Sequence, residues 1–172
     1  MFSKLLGAAG IILGVGNVFD CEIPARLRDV NLAGHVDNVE AMRVLDEARQ
    51  MFLRYAVLPD SPDGRPGLFR DVPSGITDLV AAQRVEYHAE MRFVPFQPFL
   101  VRMWVGHLSR SSFTTCYELR VAADHEPAIV GESTLVMWDR AEGAAWRFTD
   151  SVRTTIDAYL GQPVALRPRP GE

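Results

Sequence analysis

The chain lacks several features that would place it in other protein classes. Among 172 residues there are only two cysteines, Cys21 and Cys116. They form no C-x-x-C spacing, so neither a zinc ribbon nor a disulfide scaffold is signalled, and a reducing, cytoplasmic setting is expected. No basic excess exists: 18 Lys plus Arg face 22 Asp plus Glu, a formal net charge of −4. That balance argues against a nucleic-acid partner held through phosphates. No apolar run is long enough to span a bilayer, and no membrane association is expected. The nearest approach, Leu5 to Val15 after Lys4, lacks the small-x-small cleavage pattern of a secretory leader. Asp20 before Cys21 is equally unsuited to a lipoprotein site, so residues 1–17 are read as an apolar extension packed on the domain or on a neighbouring subunit. Gly7, Gly10, Gly14 and Gly16 match neither the P-loop nor the dinucleotide fingerprint, so no nucleotide cofactor is expected. His88, His107 and His125 show no paired metal-ligand spacing, and no metal is expected. Ser111 and Ser112 lack the G-x-S-x-G setting of a nucleophile elbow, which disfavours a serine hydrolase.

What is present is the make-up of one globular domain, with 48% hydrophobic and 23% charged residues. Phe19 to Leu27 reads as a strand leading into the turn-rich stretch Arg28 to Asn38. From Asn38 to about Tyr55, Glu40, Arg43, Asp46, Glu47, Gln50 and Arg54 fall within one narrow sector of a helix. Val39, Ala41, Met42, Val44, Leu45, Ala48, Met51, Phe52 and Leu53 cover the wider remainder, so a deeply enclosed helix is expected. Arg49 falls inside the apolar sector, where it needs a partner such as Asp46 one turn back. Residues 59–75 carry Pro59, Pro62, Gly64, Pro66, Gly67, Pro73 and Gly75 and read as one long loop. Beyond it the period switches to two. Arg84, Glu86, His88, Glu90 and Arg92 alternate with apolar residues from Gln83 to Phe93, a strand with one wet face. Phe99 to Leu108, Ser112 to Ala122 and Ala128 to Asp139 read as three further strands. Thr149 or Asp150 is placed to cap a short helix to about Leu160, with Gly161 as its stop. The order gives an α+β domain over residues 18–160, an antiparallel sheet of about five strands with a helix on one face. The prolines after Arg167 suggest a loose tail over 161–172.

The densest polar cluster, Arg28 to Asn38, lies directly before the long helix. Such a helix start offers unpaired N–H groups and a positive dipole end, with Gly34 allowing close approach to the main chain. A capped helix start, with Asn38 or Asp37 as N-cap and His35 packing, explains the same residues.

Here the sequence resembles the hotdog-fold acyl-CoA thioesterases of the 4-hydroxybenzoyl-CoA thioesterase type, whose signature reads D-x-D-x-x-G-H-V-N-N followed by E-A-R. This chain has Asp29-Val30-Asn31-Leu32-Ala33-Gly34-His35-Val36-Asp37-Asn38 and then Glu47-Ala48-Arg49. The resemblance continues through Gln83 to Tyr87, Arg110 to Phe113 and Val136 to Asp139. It implies a sheet wrapped around a central helix, dimers or dimers of dimers with sheets joined edge to edge, and acyl-CoA or acyl-carrier-protein thioesters bound at a subunit interface. It further implies that main-chain N–H groups of Gly34, His35 and Val36 polarise the thioester carbonyl. Arg110, Ser111 and Ser112 become candidates for the rim and for the coenzyme A phosphates.

Two departures matter, one of them Asp37 in place of the first Asn of the N-N pair. The family's catalytic carboxylate is Asn31 here, and a neutral amide cannot act as general base. Asp37, or failing that Asp29, is the candidate replacement. The expected function is thioester hydrolysis without metal or redox cofactor; the alternative is an acyl-thioester or lipid-binding hotdog protein that no longer hydrolyses. Oligomerisation is expected on two further grounds, the wide apolar sector of the helix and the open sheet edges.

Overall fold

The computed structural model describes residues 16–57, 64 and 66–168. Most of the extension expected over 1–17, and Pro59 and Pro62 of the long loop, lie outside the described residues. Strand β1 (Phe19–Ile23) leads through a 3-10 turn at Leu27–Asp29 into α1 (Asn38–Tyr55). The strands β2 (Ile76–Tyr87), β3 (Phe99–Leu108), β4 (Ser112–Arg120), β5 (Ile129–Asp139) and β6 (Ala144–Ala145) precede α2 (Asp150–Asp157). The sheet is antiparallel in the order β1-β3-β4-β5-β2, with β6 paired to β5. The expected α+β architecture, a sheet curled around one long helix, is what the chain forms.

Its cause is legible residue by residue. Phe99, Val101, Met103 and Val105 of β3 alternate onto the inner face, as do Phe113, Tyr117 and Leu119 of β4, and all are buried. Against them α1 buries Ala41, Val44, Leu45, Ala48, Phe52 and Leu53. Phe52 meets the rings of Phe19 and Tyr159 at centroid distances of 5.7 and 5.2 Å. Thr149 caps α2 by accepting from the Val152 N–H. That helix stops at Asp157, three residues short of expectation, because Leu160 and Gly161 turn back to bridge Val105. Among the described residues no helix is long and apolar enough to cross a membrane. Cys21 and Cys116 are both free, and burial pushes their thiols up to about 12 and about 11.

Strand β1 ends at Ile23, four residues before the expected Leu27, and three further features differ from expectation. The strand read as Gln83 to Phe93 begins at Ile76 and ends at Tyr87. It leaves the ladder where the N–H groups of His88 and Ala89 both turn to the Ala128 carbonyl. Alternation nonetheless persists beyond it, since Met91 is buried and Glu90 and Arg92 are exposed. Second, Val39 of the apolar sector of α1 is 68% exposed, so this one chain does not enclose the whole sector.

The third difference is at the C-terminus. Residues 161–168 are not loose but cross the outer face of the sheet. Trp104 Nε1 donates to the Gln162 carbonyl at 2.7 Å, Val164 N–H contacts Cys116 Sγ at 3.4 Å, and Arg167 N–H donates to Glu86 at 2.8 Å. Proline ends regular structure, but it does not prevent an extended segment from docking through its neighbours' N–H and C=O groups.

Candidate active site

The loop before α1 is built by its own backbone. Asn31 N–H donates to the His35 carbonyl at 2.8 Å and Gly34 N–H to the Asn31 carbonyl at 3.0 Å. The Asn31 side-chain oxygen accepts from Ala33 N–H at 2.9 Å and His35 N–H at 3.2 Å. Gly34 sits at φ +82°, a conformation that a residue with Cβ adopts only with strain, so the glycine closes the turn. Val36 N–H donates to the Met91 carbonyl at 2.8 Å, tying the loop to the segment after β2. The N–H groups of Gly34, His35 and Val36 are therefore all engaged within the chain. Asn31 acts as the staple of this loop.

Asp37 is the N-cap, its Oδ1 accepting from Val39 N–H at 2.9 Å. Its second oxygen forms no hydrogen bond among the described residues. Ala41 N–H reaches the Asp37 carbonyl, whereas the Asn38 N–H has no hydrogen-bond partner among the described residues. It is thus an open donor at the positive end of an eighteen-residue helix. A cleft of about 270 Å³ opens there, lined by Asn31, His35, Asp37, Asn38, Tyr87 and Glu90 together with Val36, Ala41, Ala89 and Met91.

Electrostatics sharpen the picture. His35 Nε2 lies 3.4 Å from Glu90, and Arg92 pairs with the same carboxylate at 3.0 Å. Arg92 foremost, and His35 with it, hold the Glu90 carboxyl below its usual range. Burial, helped by the negative charge of Asp37, pushes the Tyr87 hydroxyl above its ordinary value. Tyr87 therefore stays a proton donor through neutral and mildly alkaline pH.

Asp29 does not share this cleft. The chain is not extended through Asp29, because Leu27–Asp29 is a 3-10 turn. Asp29 is 1% exposed, pairing with Arg43 at 3.2 Å and accepting from Arg26 N–H at 3.0 Å. It holds the loop onto α1. Asp29→Ala is expected to destabilise the fold by about 1–2 kcal/mol, since it removes the buried acceptor of Arg26 N–H and of Arg43 while Arg43 keeps Glu40 and Glu47; chemical denaturation would measure the loss.

Arg110, Ser111 and Ser112 lie at the other end of the sheet. Ser112 is level with Val136 and, through it, with Leu79, whereas Tyr87 is level with Ile129. Seven residues of β4 or β5, roughly 23 Å, separate the two levels within one chain. Arg110 is exposed on the turn. Sequence reasoning missed Tyr87 and Glu90 as site residues and Asn38 as a donor. For Tyr87 and Glu90 the alternation gave only a face, and nothing in the sequence showed that the other N–H groups of the loop would be occupied. Among the described residues no group of three or more His, Cys, Asp or Glu side chains converges.

A curled antiparallel sheet around a helix whose start opens into a cleft defines a hotdog-type domain. The chain belongs to the thioesterase-like superfamily, whose sequence profile matches residues 25–156. Solved structures agree on the fold. A Staphylococcus aureus protein in complex with CoA is 14% identical, with 90% of this chain and 91% of that chain covered and a TM-score of 0.69. A 1,4-dihydroxy-2-naphthoyl-CoA thioesterase from Synechocystis is 18% identical, with 82% and 96% covered and a TM-score of 0.64. A thioesterase from Thermus thermophilus complexed with coenzyme A and Zn is 25% identical, with 84% and 96% covered and a TM-score of 0.59. No curated protein sequence matches the chain.

Proposed function

We propose that the protein hydrolyses an acyl thioester of coenzyme A or of a carrier protein in the cleft at the start of α1. The observation that carries this reading is the open Asn38 N–H beside the unengaged oxygen of Asp37, both lining one cleft. The thioester carbonyl oxygen accepts from Asn38 N–H, where the helix end stabilises the negative charge that develops on attack. A water gives its proton to Asp37 while its oxygen bonds to the carbonyl carbon. Collapse breaks the carbon–sulfur bond, and the departing thiolate takes the proton back, leaving a carboxylic acid and a thiol. Gly34, His35 and Val36 shape the loop, and Tyr87 supplies a neutral hydroxyl at the cleft wall.

The second copy enters through β2, a twelve-residue edge strand carrying Leu79, Val80 and Tyr87 at 46–47% exposure. An edge of this length and apolarity is a template for pairing. Two-fold pairing of β2 with itself sets the Tyr87 end of one strand against the Ile76 end of the other. It carries Arg110, Ser111 and Ser112 of the second copy toward the cleft, so the two halves of the candidate site meet between subunits.

The alternative, binding without hydrolysis, draws on Asn31, whose side chain is spent on the loop. Thiol release from short-chain, long-chain and aromatic acyl-CoAs tests the leading reading, and no turnover by folded protein would sink it. Asn31→Asp separates the two readings. With Asp37 as base the rate should change by less than about threefold, because the new carboxylate keeps both loop hydrogen bonds. A gain of about a hundredfold, the scale of a restored general base, would show that the natural chain lacks one.

A further inference from the structure

Midway along α1 the interior becomes polar. Arg49, 7% exposed, pairs with Asp46 at the surface, but its Nε has no hydrogen-bond partner among the described residues. Facing it from the inner side of the sheet are Tyr117 and Ser133, each 1% exposed, and Ser133 Oγ is likewise without a hydrogen-bond partner among the described residues. Gly131 lets the Tyr117 ring lie against the backbone, since a Cβ there would sit 2.6 Å from the ring. The Tyr117 hydroxyl in turn reaches Gln83 on β2 at 3.5 Å. Burial raises the Tyr117 pKa, while the side chains of Ser133 and Gln83 and the positive charge of Arg49 oppose that rise, so Arg49 lies within electrostatic reach of the hydroxyl; Gln83 and Ser133 are themselves register partners on β2 and β5. Two unpartnered polar atoms in one buried cluster cost stability unless something binds them.

The cluster is in line with the cleft. Ala41, at the cleft, and Arg49 lie on one face of α1, eight residues or roughly 12 Å apart. Tyr87, at the cleft, and Gln83 both point inward from β2, four residues or roughly 13 Å apart. The two rulers agree. Moreover, α1 packs on β1, β3 and β4, which leaves Val80, Gln83 and Tyr87 uncovered on the inner side of the edge strand. A chain starting at the Asn38 N–H can therefore run beside β2 and end at Arg49.

We propose that Arg49, Ser133, Tyr117 and Gln83 form a subsite for the far end of the acyl group, and that the protein prefers acyl thioesters ending in a hydrogen-bond-accepting oxygen. Arg49 Nε donates to that oxygen, and the hydroxyl of Ser133 supplies a second contact. Asp46, 58% exposed, is screened by water and leaves the buried Nε as the recognising donor. Both an ω-hydroxyl and an ω-carboxylate meet this chemistry. The subsite rests on the reading of the cleft as a thioester site.

The test compares decanoyl-CoA and dodecanoyl-CoA with their ω-hydroxy and ω-carboxy analogues. At one chain length or both, kcat/KM should favour an oxygen-ended substrate by about tenfold, the scale of a hydrogen bond to a charged donor. A larger preference for the carboxylate assigns the arginine charge a role; equal preference assigns recognition to hydrogen bonding alone. In Arg49→Met the ratio should fall to within about twofold of unity. Ser133→Ala, a gentler change, should lower it about threefold, with melting temperature measured for each variant. If no thioester is turned over, Kd values of the corresponding non-hydrolysable thioether analogues give the same ratios, so failure of hydrolysis and failure of the subsite are separable. Equal values for methyl-ended and oxygen-ended ligands at both lengths would overturn the proposal. So would an undiminished ratio in folded Arg49→Met, or equal ratios together with loss of dimer in that variant, which would assign Arg49 to the contact between copies.

Discussion

Asp37→Asn is expected to lower the rate of thioester hydrolysis by about a hundredfold or more while leaving stability nearly unchanged. The two consequences separate because the two oxygens of Asp37 have different duties. Oδ1 accepts from Val39 N–H as the N-cap of α1, and asparagine caps about as well as aspartate. Only the carboxylate, however, can take a proton from water at neutral pH. Asp37→Ala removes both functions and should cost about 1 kcal/mol of stability in addition. Rate and thermal unfolding of the two variants make the comparison. An unchanged rate in Asp37→Asn would remove Asp37 from the chemistry. It would not return the role to Asp29, which is buried against Arg43. The titratable pair left in the cleft would be His35 with Glu90.

How far the sequence discloses the molecule depends on which forces are local. The span of α1 and the exact bounds of β3 follow from periodicity, because side chains on those elements meet one core and the pattern repeats. Asp37 and Arg49 were also legible, the first as a cap residue and the second as a charge in an apolar sector that needed Asp46. The start of β2 was not. Ile76 to Ala82 lies on an edge, where neither face is fully covered, so burial imposes no alternation. The docked segment 161–168 was hidden for a different reason. Its contacts reach Trp104, Cys116 and Glu86 on three strands, and nothing in Gln162 to Arg167 itself encodes them. The candidate site was half legible. Composition and resemblance located the loop before α1, but which N–H stays open depends on long-range bonds such as Val36 to Met91.

Ala82→Glu should convert the protein to monomers and, if the site lies between subunits, lower activity by about a hundredfold with little change in unfolding temperature. Ala82 lies near the middle of β2 and is exposed in the single chain, so a glutamate there meets water in the monomer and disturbs no packing. In a two-fold pair of β2 strands the middle residues face their own copies, and two carboxylates brought together on an edge repel. Sedimentation at micromolar concentration would read the assembly, and thiol release the activity. The complementary variant Ala82→Lys should also be monomeric, and mixing the two should restore both dimer and rate, because opposite charges then face each other across the axis. A variant that stays dimeric and active would place the contact elsewhere. A monomer that retains full activity would show that one copy completes the site without Arg110, Ser111 and Ser112 of another. Recovery only on mixing would tie assembly and chemistry to the same strand edge, since neither variant alone alters any residue of the cleft.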